Sequence, residues 1–262
     1  METITSAQNP KIKNLLLLQE KSRERREQGL FVVEGRRELE HCLEGGFKVR
    51  TLFVCPEILD ATSFLRHLPL IEASVIEIPE QLYRKVAYRD STEGIIAEVE
   101  YKSLSLADLQ LPEHPLIMVL ESVEKPGNLG AVLRSADAAG ADAVLICDPL
   151  TDLYNPNLIR ASIGAVFTVP TVAVSSEKAI DFLKAHDIQI LTAQLQDSSL
   201  YYDVDMRRGT ALVMGTESTG LTPVWRQAAD THIRIPMLGR LDSLNVSVSA
   251  SILLFEAVRQ RQ

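Results

Sequence analysis

Leu116-Ile117-Met118-Val119-Leu120 constrains the fold more than any other stretch: five apolar residues in a row with no polar alternation. A strand of that composition must be covered on both faces, as in a parallel sheet flanked by helices. A second such run, Ala143-Val144-Leu145-Ile146, follows about one helix later. Between them Pro126 and Gly127 read as a turn and Asn128 as a helix N-cap. Leu129, Val132, Leu133 and Ala136 then share one helical face, with Gly130 and Arg134 off it. Further strands are expected at 167–174, 188–193, 210–214 and 231–235, and helices at 157–163 and 177–186. This alternation predicts an α/β fold with a mostly parallel sheet and helices on both sides.

Residues 1–102 carry a smaller pattern of the same kind. Short apolar runs (30–33, 51–54, 94–99) alternate with charged helical stretches such as Arg36 to Glu44, which predicts a separate α/β domain. Residues 103–115, with Ser103, Ser105, Pro112 and Pro115, read as a linker, and 116–262 as the second domain. A chain of 262 residues accommodates two such domains and a sizeable core.

Composition excludes several function classes. No apolar window reaches membrane-helix length, and the charged stretch Lys21 to Glu27 is unlike a signal peptide. Cys42, Cys55 and Cys147 are far apart and odd in number, and the five histidines are scattered, so no metal-ligand spacing exists. A reduced, cytoplasmic protein without a structural metal is the expectation. The net charge of −8 argues against a protein that coats nucleic acid through bulk electrostatics. Yet the segment from Lys11 to Arg37 carries +4 and the remainder −12. Its interleaved Glu and Arg fit a solvated helix face or an RNA-facing patch, and composition does not choose between them.

Three polar segments in the second half carry the candidate chemistry. They are Asn128-Leu129-Gly130-Ala131-Val132-Leu133-Arg134, Met214-Gly215-Thr216-Glu217-Ser218-Thr219-Gly220-Leu221 and Ser243-Leu244-Asn245-Val246-Ser247-Val248-Ser249. Each follows an expected strand, and ligands of open parallel sheets bind beyond the strands' carboxyl ends. Neither a P-loop nor a dinucleotide-binding glycine fingerprint is present. In the third segment Leu244, Val246 and Val248 alternate as in a strand. The unbroken run through Val258 and the terminal Arg259 and Arg261 favour a helix capped by Asn245.

Together the three segments resemble the motifs of the SpoU branch of the SPOUT methyltransferases, also called the TrmH family. The resemblance runs from Glu121-Ser122-Val123-Glu124-Lys125-Pro126-Gly127-Asn128 to Arg134, through Gly215 to Leu221, and from Ile235-Pro236-Met237 to Val248. Two departures are mild: Glu121 replaces a frequent Asp and Ser249 a frequent Ala. In the first half, Phe31 to Arg36 and Ser91 to Ile95 are similar to the family's ribosomal-protein-like (L30e-like) substrate-binding domain. The resemblance implies S-adenosylmethionine-dependent methylation of a ribose 2′-hydroxyl in structured RNA, with ribosomal RNA preferred. Transfer RNA and a non-catalytic RNA-binding module are the alternatives. It further implies a trefoil knot in the C-terminal domain and a homodimer formed through that domain.

Carried over by position, the resemblance makes Asn128, Arg134, Glu217, Ser243 and Asn245 the catalytic set. Met214, Gly215, Gly220, Ile235, Met237 and Leu244 become the cofactor-binding set. A ribose hydroxyl is a weak nucleophile whose alignment with the methyl donor supplies much of the acceleration. Arg134 offers a planar fork for a phosphate or a developing alkoxide. A guanidinium with a pKa above about 12 is a poor general base, so Arg134 is expected to orient and stabilise. Arg160, in Tyr154-Asn155-Pro156-Asn157 to Gly164, fits an RNA phosphate contact or a surface salt bridge equally well.

Overall fold

The computed structural model describes residues 2–60, 63–64, 66, 68, 73–88, 93–216 and 219–262. Ser91, Thr92 and Glu217, named above, therefore lie outside the described residues. Packing divides the chain into two units, residues 1–102 with 154–168, and residues 103–153 with 169–262.

After a short strand β1 (Glu2–Thr3), Asn9 caps helix α1 (Pro10–Glu20) by accepting the Lys11 N–H at 2.9 Å. Pro10 adds a pre-set φ at the first helical position. Ile12, Leu15 and Leu18 form its fully buried face. Lys21, in extended conformation, separates α1 from α2 (Ser22–Gln28), which ends at Gly29 with φ 63°. The basic stretch noted in the sequence divides here. Arg25 is buried and donates to the carbonyls of Leu18 and Gln19, satisfying the open end of α1. Arg25 is therefore structural, whereas Arg23 stays on the surface and pairs with Glu27 one turn on.

The rest of the first unit comprises β2 (Leu30–Glu34), α3 (Arg36–Glu44), β3 (Val49–Val54), β4 (Ser74–Glu77), α4 (Glu80–Val86) and β5 (Ile95–Glu100). Its sheet runs β1-β4-β3-β5-β2. β5 is antiparallel to both neighbours, pairing Phe31 with Val99 and Phe53 with Ile96. The face carrying Val32, Phe53, Ile76 and Ile96 packs on α1 and α4.

In the second unit the expected linker is not free. Leu104, Leu106, Leu109 and Leu111 pack on the core, and Ser105 with Asp108 closes a capping box around a single 3-10 turn. The polar and proline residues that suggest a linker sit between leucines that alternate onto the sheet. The chain continues through β6 (Leu116–Glu121), α5 (Pro126–Ala138) and β7 (Ala143–Cys147) to α6 (Pro156–Ser162) and α7 (Ala165–Thr168). It then forms β8 (Thr171–Val174), α8 (Ser176–Ala185), β9 (Gln189–Ala193), β10 (Ser199–Leu200) and β11 (Thr210–Met214). α9 (Pro223–Ala228), β12 (Thr231–Arg234) and α10 (Val246–Arg261) complete it.

The seven strands run β10-β12-β9-β11-β6-β7-β8, and every pairing is parallel. β6 and β11 are central and wholly buried, as their uninterrupted apolar composition requires. Pairing Leu120 with Met214 brings the carboxyl ends of β6 and β11 level. α5 begins at Pro126 with Lys125 as N-cap, so the expected turn is the helix's first turn and Asn128 lies inside it. Gly130 is buried with Leu129 and Leu133 rather than off the packing face. α10 packs on α5, where Ser135 and Ser251 share a hydroxyl hydrogen bond of 2.7 Å. Its last turn is tied down by Arg261, which donates to the carbonyls of Met206, His114, Pro115 and Arg208.

Residues 154–168, expected to belong to the methyltransferase half, are part of the first unit. Tyr154 stacks on the buried Phe31 at 4.1 Å between ring centroids, and Phe167 stacks on it at 5.8 Å. A Cβ at Gly45 would meet Phe167 O at 2.4 Å, so α3 and α7 touch backbone to backbone. This packing also corrects the strand expected at 167–174. Ala165 to Thr168 complete a helical turn that delivers Phe167 to Phe31, and β8 starts only after Pro170.

Candidate active site

The carboxyl ends of β9, β11 and β12 carry the loops that line one cleft of about 700 Å³, within the range of small-molecule sites. β11 delivers Met214, Gly215, Thr216 and Gly220; β12 delivers Arg234, Ile235 and Met237. The start of α10 and the loop before it contribute Ser243, Leu244, Asn245 and Val246. Leu221, Ile233 and Leu253 supply buried apolar wall.

Hydrogen bonds fix the loop after β11. The Glu121 carboxylate, 2% exposed, accepts the Thr222 N–H at 2.9 Å and the Thr222 hydroxyl at 2.6 Å. That pair ties the end of β6 to the loop after β11. Within this loop Thr216 and Gly220 exchange backbone hydrogen bonds, and the Thr216 hydroxyl accepts the Thr219 N–H at 3.0 Å. Gly220 has φ 67°, and a Cβ on Gly215 would lie 2.3 Å from Gly220 O. Only glycine permits that approach at 215. Behind the loop, Trp225 donates to Ser176 and Ser176 to Asp148, which anchors α9.

Asn245 joins two of the sequence motifs. Its Oδ1 accepts from the N–H and hydroxyl of Ser247 at 2.9 and 2.6 Å, capping α10. Its Nδ2 donates to Asn128 Oδ1 at 3.2 Å, across to the first turn of α5. Ser243 is exposed at the rim and donates to Asp242. Met214, Gly215, Gly220, Ile235, Met237 and Leu244 therefore line one cleft with Ser243 and Asn245, and Asn128 reaches it through Asn245. Arg134 is exposed on α5 and is not among the lining residues of its own chain. Gly239 has open space where a Cβ would be, so close packing is not what places a glycine there.

Sequence reasoning missed Gln194, Arg226, Arg234 and Thr222. Gln194 lines the cleft, and its Oε1 is a buried acceptor without a hydrogen-bond partner. Its Nε2 donates to Gln196 O at 2.9 Å, which sets the amide's orientation. An orphaned acceptor of this kind calls for a ligand donor. The signal that could have found Gln194 and Arg234 is position: each lies at the carboxyl end of an expected strand. A nucleoside-sized ligand with amine and hydroxyl donors fits this cleft. No metal does, since no cluster of His, Cys, Asp and Glu exists among the described residues. Burial, with Asp148, Glu121 and Glu177 nearby, pushes the Cys147 thiol well above its ordinary value, so it offers no thiolate.

The model of the SpoU rRNA Methylase family matches residues 115–255, and that of an MRM3-like substrate binding domain matches residues 9–97. A 23S rRNA guanosine 2′-O-methyltransferase of Bacillus subtilis is 29% identical over 97% of this chain and 98% of its own length. A crystal structure of an RNA 2′-O ribose methyltransferase superposes with TM-score 0.85 at 40% identity, covering 99% of each chain. An AdoMet-bound rRNA methyltransferase of Sinorhizobium meliloti superposes with TM-score 0.88 at 30% identity, covering 98% of this chain and 97% of its own. With a family model spanning more than half of its length, and with this cleft at the ends of its parallel strands, the chain belongs to the SpoU rRNA methylase family.

Proposed function

We propose that this protein is an S-adenosylmethionine-dependent methyltransferase acting on a ribose 2′-hydroxyl of ribosomal RNA. The observation that carries the reading is the convergence of two motif-bearing segments, Met214 to Leu221 and Ser243 to Ser249, on one cleft, with the first motif tied to it by Asn245 to Asn128 and by Glu121 to Thr222. The preference for ribosomal RNA rests on the full-length relatives, whose names specify it. When bound, S-adenosylmethionine supplies an electrophilic methyl group on a sulfonium. The chain's residues do the rest. The apolar wall of Leu221, Ile233 and Leu253 takes the adenine, and Gln194 Oε1 accepts one of its ligand's donors. Backbone around Gly215 and Leu244 holds the remainder at close range.

Arg134 steadies the oxygen that becomes negative as its proton leaves to a phosphate or to solvent. Because Arg134 is outside its own chain's cleft, it is supplied to the cleft of a second copy. The dimer face is the exposed apolar stripe of α10, with Val248 47% and Phe255 49% exposed one helical face apart from the buried Leu253 and Leu254. A trefoil knot, with α10 drawn beneath the loops after β11 and β12, accounts for small residues at Ser247, Ala250 and Ser251. The first unit, an L30e-like domain, positions the RNA. The three cysteines are buried thiols without disulfides, which suits a reducing cytoplasm. No helix among the described residues is long and apolar enough to cross a membrane.

Mapping ribose methylation in total RNA from cells with and without the gene tests this reading. One 2′-O-methyl mark lost from ribosomal RNA and restored by the wild-type chain is expected. An identical map in both cells would refute it.

A further inference from the structure

The excursion between β7 and β8 carries an arginine onto the first unit. α6 buries Leu158, Ile159 and Ser162 and leaves Asn157 and Arg160 exposed. Arg160, Ile159 and Pro156 line one small cleft together with Tyr88, Gln19, Val32 and Glu34. The space inside is about 20 Å³, room for one water at most. A ligand here lies across the rim rather than inside it.

The Tyr88 side is held in place. The Tyr88 N–H donates to Glu34 Oε2 at 2.6 Å, and Gln19 Nε2 donates to Val86 O at 2.9 Å, so the backbone under Tyr88 is clamped at two points. Tyr88 nevertheless leaves 42% of its surface exposed. A large aromatic residue kept exposed on an immobilised backbone offers a stacking face at little cost in conformational entropy. A guanidinium lining the same cleft supplies what a phosphate needs, while the Glu34 carboxylate disfavours a phosphate beside it. Arg36 and Arg37 leave the same strand end, both exposed.

We propose that Tyr88 and Arg160 form a binding site for one unpaired nucleotide of the RNA, its base on the Tyr88 ring and its phosphate on Arg160. The site rests on the reading of this protein as an RNA enzyme and adds to it a specific contact far along the chain from the methyl-transfer motifs. Unpaired bases stack on such aromatic platforms with little regard to identity. The site therefore selects single-stranded over paired RNA.

The test is fluorescence anisotropy of the full-length protein with a fluorescein-labelled single-stranded decauridine RNA, and with a blunt-ended duplex as competitor. Tyr88→Ala and Arg160→Ala should each weaken decamer binding about tenfold. Tyr88→Phe, which keeps the ring, should bind as the wild type does. Arg160→Ala should also lower the salt slope by about one ion. Failure of the wild type to bind the decamer, or variants that bind it as well as wild type while melting normally, would overturn the site. Methyl transfer to ribosomal RNA, followed separately, distinguishes the two ideas. Loss of decamer binding in Tyr88→Ala without any wild-type methyl transfer would sink the enzymatic reading and leave this contact standing. Intact methyl transfer with indifferent decamer binding would do the reverse.

Discussion

Asn245 serves two elements with one amide: its oxygen caps α10 through Ser247, and its nitrogen holds Asn128 on α5 at 3.2 Å. The two roles separate by substitution. Asn245→Ala removes both and should cost about 1–2 kcal/mol in denaturant melts. Asn245→Asp keeps an excellent cap at a helix N-terminus but loses the donor to Asn128. Asp should therefore melt like wild type and still lose methyl transfer by about tenfold or more. Equal activity in Asn245→Asp would show that the bridge is incidental to the site.

Gly215→Ala tests the loop after β11. The added methyl would sit 2.3 Å from Gly220 O and 2.6 Å from Leu221 N, which the backbone bridge between Thr216 and Gly220 cannot absorb without opening. Cofactor affinity, read by calorimetric titration with S-adenosylmethionine, should fall at least about tenfold. Gly127→Ala is the contrasting change. Nothing lies within 4 Å of a Cβ there, and the residue is in the first turn of α5. It should stabilise the protein by about 0.5–1 kcal/mol and leave cofactor binding unchanged.

The central sheet is legible in the sequence because Leu116 to Leu120 and Ala211 to Met214 have no polar face to show, as a parallel interior strand requires. The end of the chain is legible for a different reason. Leu244, Val246 and Val248 alternate like a strand, but the cap at Asn245 and the unbroken run to Arg261 decide for a helix, and the helix forms. What periodicity cannot reveal is which core a helix serves. Leu158, Ile159 and Ser162 mark a buried face, yet Phe31 and Phe47, the rings that hold this segment through Tyr154, lie more than a hundred residues upstream. The leucines at 104, 106, 109 and 111 were hidden by prolines and serines whose local meaning is loop. Gln194 was hidden because an orphaned acceptor is a property of coordinates, with no signature in residue type.

Glu98 gives the fold a pH dependence. Burial raises its pKa above the ordinary carboxylate value near 4.5, and the hydrogen bonds of Thr51 and Asn14 and the charges of Lys11 and Arg50 only partly oppose this. The folded chain therefore holds this proton at pH values where the unfolded chain has released it. Stability from this group is full below about pH 4.5 and declines as pH rises through the raised folded-state value. Glu98→Gln cannot titrate and still offers an oxygen to Asn14. Its melting temperature should exceed wild type at pH 8, and the gap should close on lowering the pH below the ordinary carboxylate value. A gap that is constant with pH would show that Glu98 does not titrate abnormally.

Arg134 and Asn245 lie on the same chain, yet only Asn245 lines that chain's cleft. If a second copy supplies the arginine across a two-fold axis, Arg134→Ala and Asn245→Asp should complement each other when mixed. Each protein alone is impaired at both of its sites. Random re-pairing makes half the dimers mixed, and each mixed dimer has one cleft with an intact Asn245 and an intact Arg134, so about a quarter of wild-type activity should return. Val248→Asp, which places charge on the exposed stripe of α10, should sediment as a monomer by analytical ultracentrifugation and abolish the recovery. Mixtures no more active than their components would mean that arginine and cleft belong to the same subunit, with α5 moving to bring Arg134 in.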